Sequence, residues 1–150
     1  VFFSFTFGGD ALSLAAAKAT ISEMKEKDVF PHLWEQGRKL LDGFNVLANE
    51  YKVAERVRTI GISPRSIIEF KGINEEESLL FKSFFQQECI KRGILFQGFH
   101  NVTYSHTAAD IDYTLRVYRT VMEDFALALQ EGNLSSKLEG KPVSAVFRRL

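Results

Sequence analysis

Two kinds of hydrophobic pattern occur along the chain, and each predicts a different element. From residue 31 to 55, and again over 74–92 and 107–131, apolar residues recur every three or four positions, as on the buried face of an amphipathic helix. Residues 10–27 are mostly strong helix formers. Residues 57–62 and 66–70 are short β-branched runs on either side of Ser63-Pro64-Arg65, so they predict a β-hairpin.

Capping residues support the bounds of these helices. Asp10 and Asn74 can accept hydrogen bonds from the first turns of the first and third helices. The stretch 107–110, Thr-Ala-Ala-Asp, resembles a capping box with Asp in place of the usual Glu or Gln. Gly93 and Gly132 follow the third and fourth helices, where a left-handed residue commonly ends a helix.

Two further short strands are expected at residues 94–96 and 102–104. With the hairpin they would form a small antiparallel sheet covered by helices, which is an α+β fold. Third-helix residues expected to face inward are Leu79, Leu80, Phe84, Phe85, Cys89 and Ile90. Residues 133–150 show no clear periodicity, so a loosely docked tail is expected there.

An apolar, aromatic run occupies residues 1–7 and breaks at Gly8-Gly9 before the first helix. Two adjacent glycines lack the Cβ atoms that would keep a ligand away from the backbone, and free N–H groups at a helix start attract anions. Thr6 could add one hydrogen bond to a phosphate oxygen. The same residues could instead form only a strand-to-helix turn with Asp10 as its cap. The local pattern leaves both interpretations open.

Composition narrows the possible partners. The chain of 150 residues carries 19 basic and 19 acidic side chains, so no overall field favours nucleic acid or an anionic membrane. It contains no run of about eighteen apolar residues that could span a bilayer. Cys89 is the single cysteine and has no Cys or His companion at metal-ligand spacing, so no metal is expected. A buried thiol in a reducing, cytoplasmic compartment fits this pattern.

Two stretches together resemble a known family. Residues 5–17, from Phe5-Thr6-Phe7-Gly8-Gly9 into the first helix, resemble class III aminotransferases of PLP fold type I, especially members like glutamate-1-semialdehyde aminomutase. Residues 105–112, Ser-His-Thr-Ala-Ala-Asp-Ile-Asp, resemble the start of the last helix in the C-terminal domains of these enzymes. The order and spacing agree over residues 1 to about 131.

The resemblance implies a C-terminal fragment of a longer enzyme. Residues 1–28 would be the last strand and a long helix of the large PLP-binding domain, 29–132 the small C-terminal domain, and 133–150 a tail. The lysine that binds pyridoxal 5'-phosphate (PLP) would lie upstream of Val1, so the isolated fragment is expected to be inactive. The parent would be a homodimer that transfers an amino group from an amine donor to a keto or aldehyde acceptor, or within one substrate as an aminomutase.

The resemblance also assigns site residues. Thr6, with Gly8 and Gly9, would contact the PLP phosphate of the neighbouring subunit. Asp10-Ala11 stands where many relatives have Asn-Pro, and we expect the Asp10 carboxylate to cap the helix outward. Residues 99–103 contain no arginine of the kind that holds a substrate carboxylate in α-amino-acid aminotransferases of this class. That absence favours an aminomutase-like enzyme or a transaminase for a different amine.

Histidines offer the remaining candidates. His100 and Asn101 lie in the loop that would face the active-site entrance, so a substrate contact is predicted for both. A purely structural hydrogen-bonding role for His100 stays open as the alternative. His106 precedes the capping Thr107, and a structural hydrogen bond is the expected role. An alternative of another class stays open, namely a stand-alone α/β interaction module without a cofactor.

Overall fold

The computed structural model describes residues 9–144, and the chain divides into two compact units, Val1–His32 and Leu33–Leu150. The predicted boundaries at residues 28/29 and 132/133 stay predictions, and the strand expected at 1–7 lies outside the described residues. No helix within 9–144 is long and apolar enough to cross a membrane. The elements are α1 (Ala11–Glu26), α2 (Val29–Glu50), β1 (Val57–Ile62), β2 (Arg65–Phe70), α3 (Glu75–Lys91), α4 (Ala108–Glu131) and a 3₁₀ turn at Leu134–Lys137.

Helices α1, α3 and α4 begin at the capping residues expected from the sequence, whereas α2 spans Val29–Glu50 and not the expected residues 31–55. Asp10 accepts a hydrogen bond from Ser13 N–H at 2.9 Å, and Asn74 accepts one from Glu77 N–H at 2.8 Å. In the capping box of α4, Thr107 N–H donates to Asp110 Oδ2 at 2.8 Å, and the Thr107 hydroxyl accepts from Asp110 N–H. These short-range bonds satisfy backbone groups that the first helical turn leaves free.

The hairpin places alternate side chains on opposite faces. Strands β1 and β2 pair antiparallel, with Val57 opposite Phe70 and Ile62 opposite Arg65. Val57, Ser66 and Ile68 are buried on the inner face, whereas Ile67 faces outward and is exposed. This period of two therefore brings two small hydroxyl side chains, Thr59 and Ser66, into an otherwise apolar surface.

The two extra strands expected at residues 94–96 and 102–104 are not formed. Residues 98–102 instead run beside β2 as an irregular extended segment that makes only an isolated bridge between Ile67 and Phe99. Ile94 N–H donates to Cys89 C=O at the end of α3, and Gly98 has a φ of +90°. Because one end belongs to a helix turn and the glycine leaves the β region, a continuous strand cannot form there.

The core lies between α2, α3, α4 and the inner face of the hairpin, and aromatic rings fill much of it. Phe85 and Phe125 have centroids 5.0 Å apart, and Phe44 and Tyr118 have centroids 5.1 Å apart in an edge-to-face arrangement. Such ring pairs stabilise the core beyond what the burial of the rings' apolar surface contributes. The fully buried side chains of largest volume are Tyr118, Phe44, Phe81, Phe84, Phe85 and Phe125.

Of the six α3 residues expected to face inward, three are buried, two (Leu79 and Leu80) are half-buried and one is exposed. Phe84, Phe85 and Cys89 are buried, and burial raises the pKa of the Cys89 thiol to about 12, so it packs as a neutral side chain. Ile90 is 49% exposed, which makes its expected burial wrong, and Phe81 takes an inward position instead. Helix α4, the 3₁₀ turn and β2 all pack on α3.

The segment after α4 is fastened to α3, which corrects the expectation of a loosely docked tail for residues 134–143. Leu134 is buried in the core. Gln87 Nε2 donates to Lys137 C=O at 2.9 Å, and Gln87 Oε1 accepts from Glu139 N–H at 2.8 Å. Val143 N–H donates to Ser83 Oγ at 2.9 Å. One side-chain amide thus bonds the backbone at two points, which no periodicity in the segment itself could indicate.

A side chain of α2 also takes the place of a neighbouring strand beside β1. Thr59 N–H donates to Asn45 Oδ1 at 2.8 Å, and Asn45 Nδ2 donates to Thr59 C=O at 3.1 Å. The Thr59 hydroxyl donates to Leu41 C=O at 3.0 Å. The Asn45 amide therefore satisfies both backbone groups of a buried strand residue and fixes the hairpin on α2.

We predict that Asn45→Ala lowers the free energy of unfolding by about 1–3 kcal/mol, because Thr59 is 4% exposed and its backbone groups would lose their partners. Urea denaturation followed by circular dichroism measures the loss. Asn49→Ala is the matched control, since Asn49 donates to Asn45 C=O on an exposed part of α2. Its effect should stay within about 0.5 kcal/mol. Equal losses in the two variants would contradict the strand-like role of Asn45.

Gly37 gives a second test of how α2 meets the hairpin. A Cβ atom at this position would lie 2.2 Å from Ser63 O and 2.8 Å from Pro64 N, both backbone atoms of the hairpin turn. Helix propensity alone favours alanine by about 0.5–1 kcal/mol. We predict the opposite sign: Gly37→Ala should destabilise the protein by about 1–3 kcal/mol, because the turn must move. Gly140→Ala is the control, since no atom lies within 4 Å of its Cβ position.

Candidate functional site

The residues predicted to contact a phosphate are only partly described. Thr6 and Gly8 lie outside the described residues. Gly9 is exposed just before α1, and no atom lies within 4 Å of the position a Cβ would take, so its backbone is open to close approach. The predicted contacts of Thr6, Gly8 and Gly9 with PLP stay predictions.

Asp10 occupies the helix start that a phosphate would use. Its carboxylate accepts from the Ser13 hydroxyl at 2.5 Å and from Ser13 N–H at 2.9 Å, and these two bonds lower its pKa. A charged cap therefore already satisfies one of the free N–H groups at this helix end. The described residues Gly9 to Ser13 alone do not fit a phosphate, and a phosphate site there would depend on groups outside them.

A cavity of about 240 Å³ lies between residues 94–102 and α4. Its wall combines apolar side chains such as Phe96, Val102 and Ile111 with several polar ones. None of the described residues that line it is Lys, Arg, Asp or Glu. The polar lining residues are Gln97, His100, Asn101, His106, Thr114 and Tyr118.

His100 joins two buried hydroxyl groups at the wall of this cavity. Its Nδ1 lies 2.8 Å from Ser66 Oγ, and its Nε2 lies 2.9 Å from Tyr118 Oη. His100 is 6% exposed, and burial lowers the pKa of its imidazole to about 4. The ring is therefore neutral near pH 7, with one N–H and one acceptor nitrogen. The three side chains form a continuous hydrogen-bonded chain from β2 to α4.

Backbone hydrogen bonds place the imidazole there. His100 N–H donates to Ser66 C=O at 2.8 Å, with Ile68 N–H bonded to Gly98 C=O and Val102 N–H to Pro64 C=O on either side. Because neighbouring residues of an extended segment point to opposite faces, the outward Phe99 directs His100 inward toward Ser66. Phe44 meets the imidazole edge-on, with centroids 6.2 Å apart.

Asn101 and His106 flank the same cavity. Asn101 is exposed at its wall, so the structure brings the two predicted substrate residues, His100 and Asn101, to one site. Their contact with a substrate stays a prediction. His106 Nδ1 accepts from Thr103 N–H at 2.9 Å, which closes the turn before α4. This hydrogen bond agrees with the structural role expected for His106.

Sequence reasoning missed Ser66 and Tyr118. Ser66 is a small polar residue at an inner position of a predicted strand, and Tyr118 stood only as one member of an apolar helix stripe. A serine facing inward between apolar neighbours needs a partner, which is the signal that could have indicated a buried polar contact.

Comparisons with known proteins identify relatives of this chain. Over 128 residues it is 29% identical to glutamate-1-semialdehyde 2,1-aminomutase of Desulfitobacterium hafniense, a match that covers 79% of this chain and 30% of that protein. Over 98 residues it is 34% identical to putrescine aminotransferase of Pectobacterium atrosepticum, covering 62% of this chain and 18% of that protein. No family model matches the chain. The chain thus spans less than a third of the length of these relatives.

The fold has a solved counterpart. The structure is similar to that of the FumI protein of Sphingopyxis sp. MTA144 in its PLP internal aldimine form, with a TM-score of 0.71 and 18% identity over 87% of this chain and 31% of that chain. At this identity the likeness concerns the fold. The expected α+β fold class is confirmed. The resemblance to aminomutase and aminotransferase sequences is confirmed as well.

The neutral His100 predicts an acid-dependent loss of stability. Its folded pKa of about 4 lies below the ordinary value of 6.5, so on acidification the unfolded chain takes up the proton first. The contribution of the neutral His100 to the free energy of unfolding is complete above pH 6.5 and is lost as the pH falls toward 4. Between pH 7 and pH 4.5 the loss amounts to roughly 2–3 kcal/mol.

Urea denaturation of wild type and His100→Gln at these two pH values measures this loss. The variant should be less stable at pH 7, and the gap should narrow by that amount at pH 4.5. Asn101→Ala is the control, since it lines the same cavity without a titrating group. If the free energies of unfolding of wild type and His100→Gln change with pH in parallel, His100 is not a buried neutral imidazole with a lowered pKa.

Proposed function

We propose that the chain is the C-terminal part of a PLP-dependent class III aminotransferase or of an enzyme like glutamate-1-semialdehyde aminomutase. The single observation that carries this proposal is the sequence similarity to an aminomutase across most of the chain. Similarity to an aminotransferase and to the fold of a PLP enzyme supports it. Under this proposal residues 1–28 end the large domain, 29–132 form the small domain and 133–150 the tail.

The proposed activity divides between this chain and the rest of its parent. PLP supplies the electron sink that makes amino-group transfer possible, and a lysine outside this chain would hold it covalently. Thr6, Gly8 and Gly9 would bind the PLP phosphate of the neighbouring subunit in a homodimer, while His100 and Asn101 would contact the substrate. The isolated chain would therefore be inactive. A cytoplasmic parent is consistent with the free, buried Cys89.

The charge of the cavity limits the substrates proposed for it. With no cationic side chain among the described lining residues, the cavity offers no partner for a substrate carboxylate. This supports an amine donor without an α-carboxylate near the cavity, and a keto or aldehyde acceptor, over a common α-amino acid pair. Transfer within one substrate, as in an aminomutase, is equally compatible with this charge distribution.

An absorbance experiment on the full-length parent tests the proposal. The parent is purified in the presence of PLP, freed of unbound cofactor, and titrated with a panel of amines and α-amino acids. Retained visible absorbance that changes with one class of amine would support the proposed activity. A colourless parent would refute it and favour the alternative, an interaction module without a cofactor. The 150-residue chain, treated in parallel, should retain no PLP.

Thr6→Ala tests the proposed phosphate contact in the same parent. A hydroxyl bond to a charged group contributes about 1.5–3 kcal/mol, so PLP affinity should fall about 10- to 100-fold. Thr20→Ala is the matched control, because the Thr20 hydroxyl donates to Ala16 C=O within exposed α1. Equilibrium dialysis against PLP measures both variants. Unchanged affinity in Thr6→Ala would remove Thr6 from the site while leaving the PLP proposal intact.

A further inference from the structure

The hydrogen-bonded chain Ser66–His100–Tyr118 contains one donor more than it uses. Two hydroxyl hydrogens and one imidazole N–H are available when the ring is neutral. Only two contacts join the three groups, namely Ser66 Oγ to Nδ1 and Nε2 to Tyr118 Oη. Within residues 9–144 neither hydroxyl has another hydrogen-bond partner. One polar hydrogen at an end of the chain is therefore left over.

Two arrangements differ in which end carries it. If the N–H is on Nδ1, it donates to Ser66, Tyr118 donates to Nε2, and the Ser66 hydrogen is left over. If the N–H is on Nε2, Ser66 donates to Nδ1, the N–H donates to Tyr118 Oη, and the tyrosine hydrogen is left over. Both arrangements have the same geometry of nitrogen and oxygen atoms, so surroundings decide between them.

The surroundings favour the second arrangement. Ser66 is completely buried on the inner face of β2, where a spare donor would stay without a partner. Tyr118 is also buried, at 2% exposed, but it lines the 240 Å³ cavity, whose space can hold an acceptor. Placing the N–H on Nε2 therefore moves the spare donor from a side chain with no adjoining space to one that borders the cavity. The buried Ser66 is therefore a positioning residue: because its hydroxyl donates to His100 Nδ1, the next hydrogen bond must run from Nε2 to Tyr118 Oη.

We propose that the Tyr118 hydroxyl donates a hydrogen bond to the uncharged carbonyl oxygen of a largely apolar ligand bound in this cavity. The apolar lining residues, such as Phe96, Val102 and Ile111, would cover the remainder of the ligand. A carboxylate would lose its hydration with no cation to replace it, and an ammonium group would find no carboxylate. This inference rests on the proposed function only in identifying the ligand as the keto or aldehyde substrate.

The position of the imidazole proton is the first test and needs no variant. Nitrogen-15 NMR of the 150-residue chain at pH 7 distinguishes the protonated nitrogen of His100 from the bare one by chemical shift and by coupling to the ring carbons. His100→Gln identifies the signal by its loss. A proton on Nε2 is the expected result. A proton on Nδ1 would overturn the proposal, because Tyr118 would then donate to the imidazole.

Ligand binding is the second test. Cyclohexanone is the probe, and cyclohexanecarboxylate and methylcyclohexane match its shape with a charged and an apolar group. Chemical-shift titration should show cyclohexanone binding in the cavity and weaker binding of both analogues. Tyr118→Phe should weaken cyclohexanone binding about 3- to 10-fold. Tyr113→Phe is the matched control on α4, because the Tyr113 hydroxyl donates to Arg92 C=O outside the cavity.

Each failure has a distinct meaning. Absence of cyclohexanone binding, equal affinity in Tyr118→Phe, or equal affinity for the carboxylate would overturn the ligand class. None of these measurements involves PLP or an amine, so a PLP-binding parent could coexist with their failure. Conversely, cyclohexanone binding by a chain whose parent stays colourless would remove the proposed enzyme and keep the carbonyl site.

Discussion

Three backbone hydrogen bonds hold residues 98–102 against β2 and the hairpin turn before it, and the cavity depends on them. They place His100 opposite Ser66 and leave Phe99 facing outward. Without this pairing the imidazole would have no fixed position, and the buried hydroxyls of Ser66 and Tyr118 would lose their partner. The hairpin in turn is fixed by Asn45 of α2, which bonds both backbone groups of Thr59. The site therefore rests on polar contacts that the surrounding aromatic core protects from water.

The features that were predicted well from the sequence depend on interactions between residues close together along the chain. Residues within one or two turns of each other account for the Asn74 cap, the Thr107 capping box and the left-handed Gly132. By contrast, no capping residue was predicted for α2, and its bounds, expected at 31–55, are Val29–Glu50. The hairpin follows from two β-branched runs around a proline turn. These features need no knowledge of distant residues, so pattern and propensity suffice to place them.

What could not be predicted depends on contacts between distant residues. Residues 94–96 have the composition of a strand, yet the end of α3 takes up their first N–H and Gly98 turns the chain. Gln87 fastens a segment about fifty residues later, and nothing in a helical glutamine marks that role. Tyr118 resembles any other residue of an apolar stripe until His100 is placed beside its hydroxyl. Tertiary pairing decides these cases, and a single sequence does not display it.

Under the proposed function, binding and chemistry are separated along the parent chain. The covalent step would need a lysine and PLP-binding groups outside these 150 residues, whereas described residues of this chain line the cavity beside His100. A buried neutral imidazole suits substrate binding better than covalent chemistry. With a pKa of about 4 it binds protons too weakly to act as a base near pH 7, but it orients two hydroxyls without adding charge. Under the proposal, the same burial that keeps His100 out of proton transfer would hold it in a fixed position beside a bound substrate.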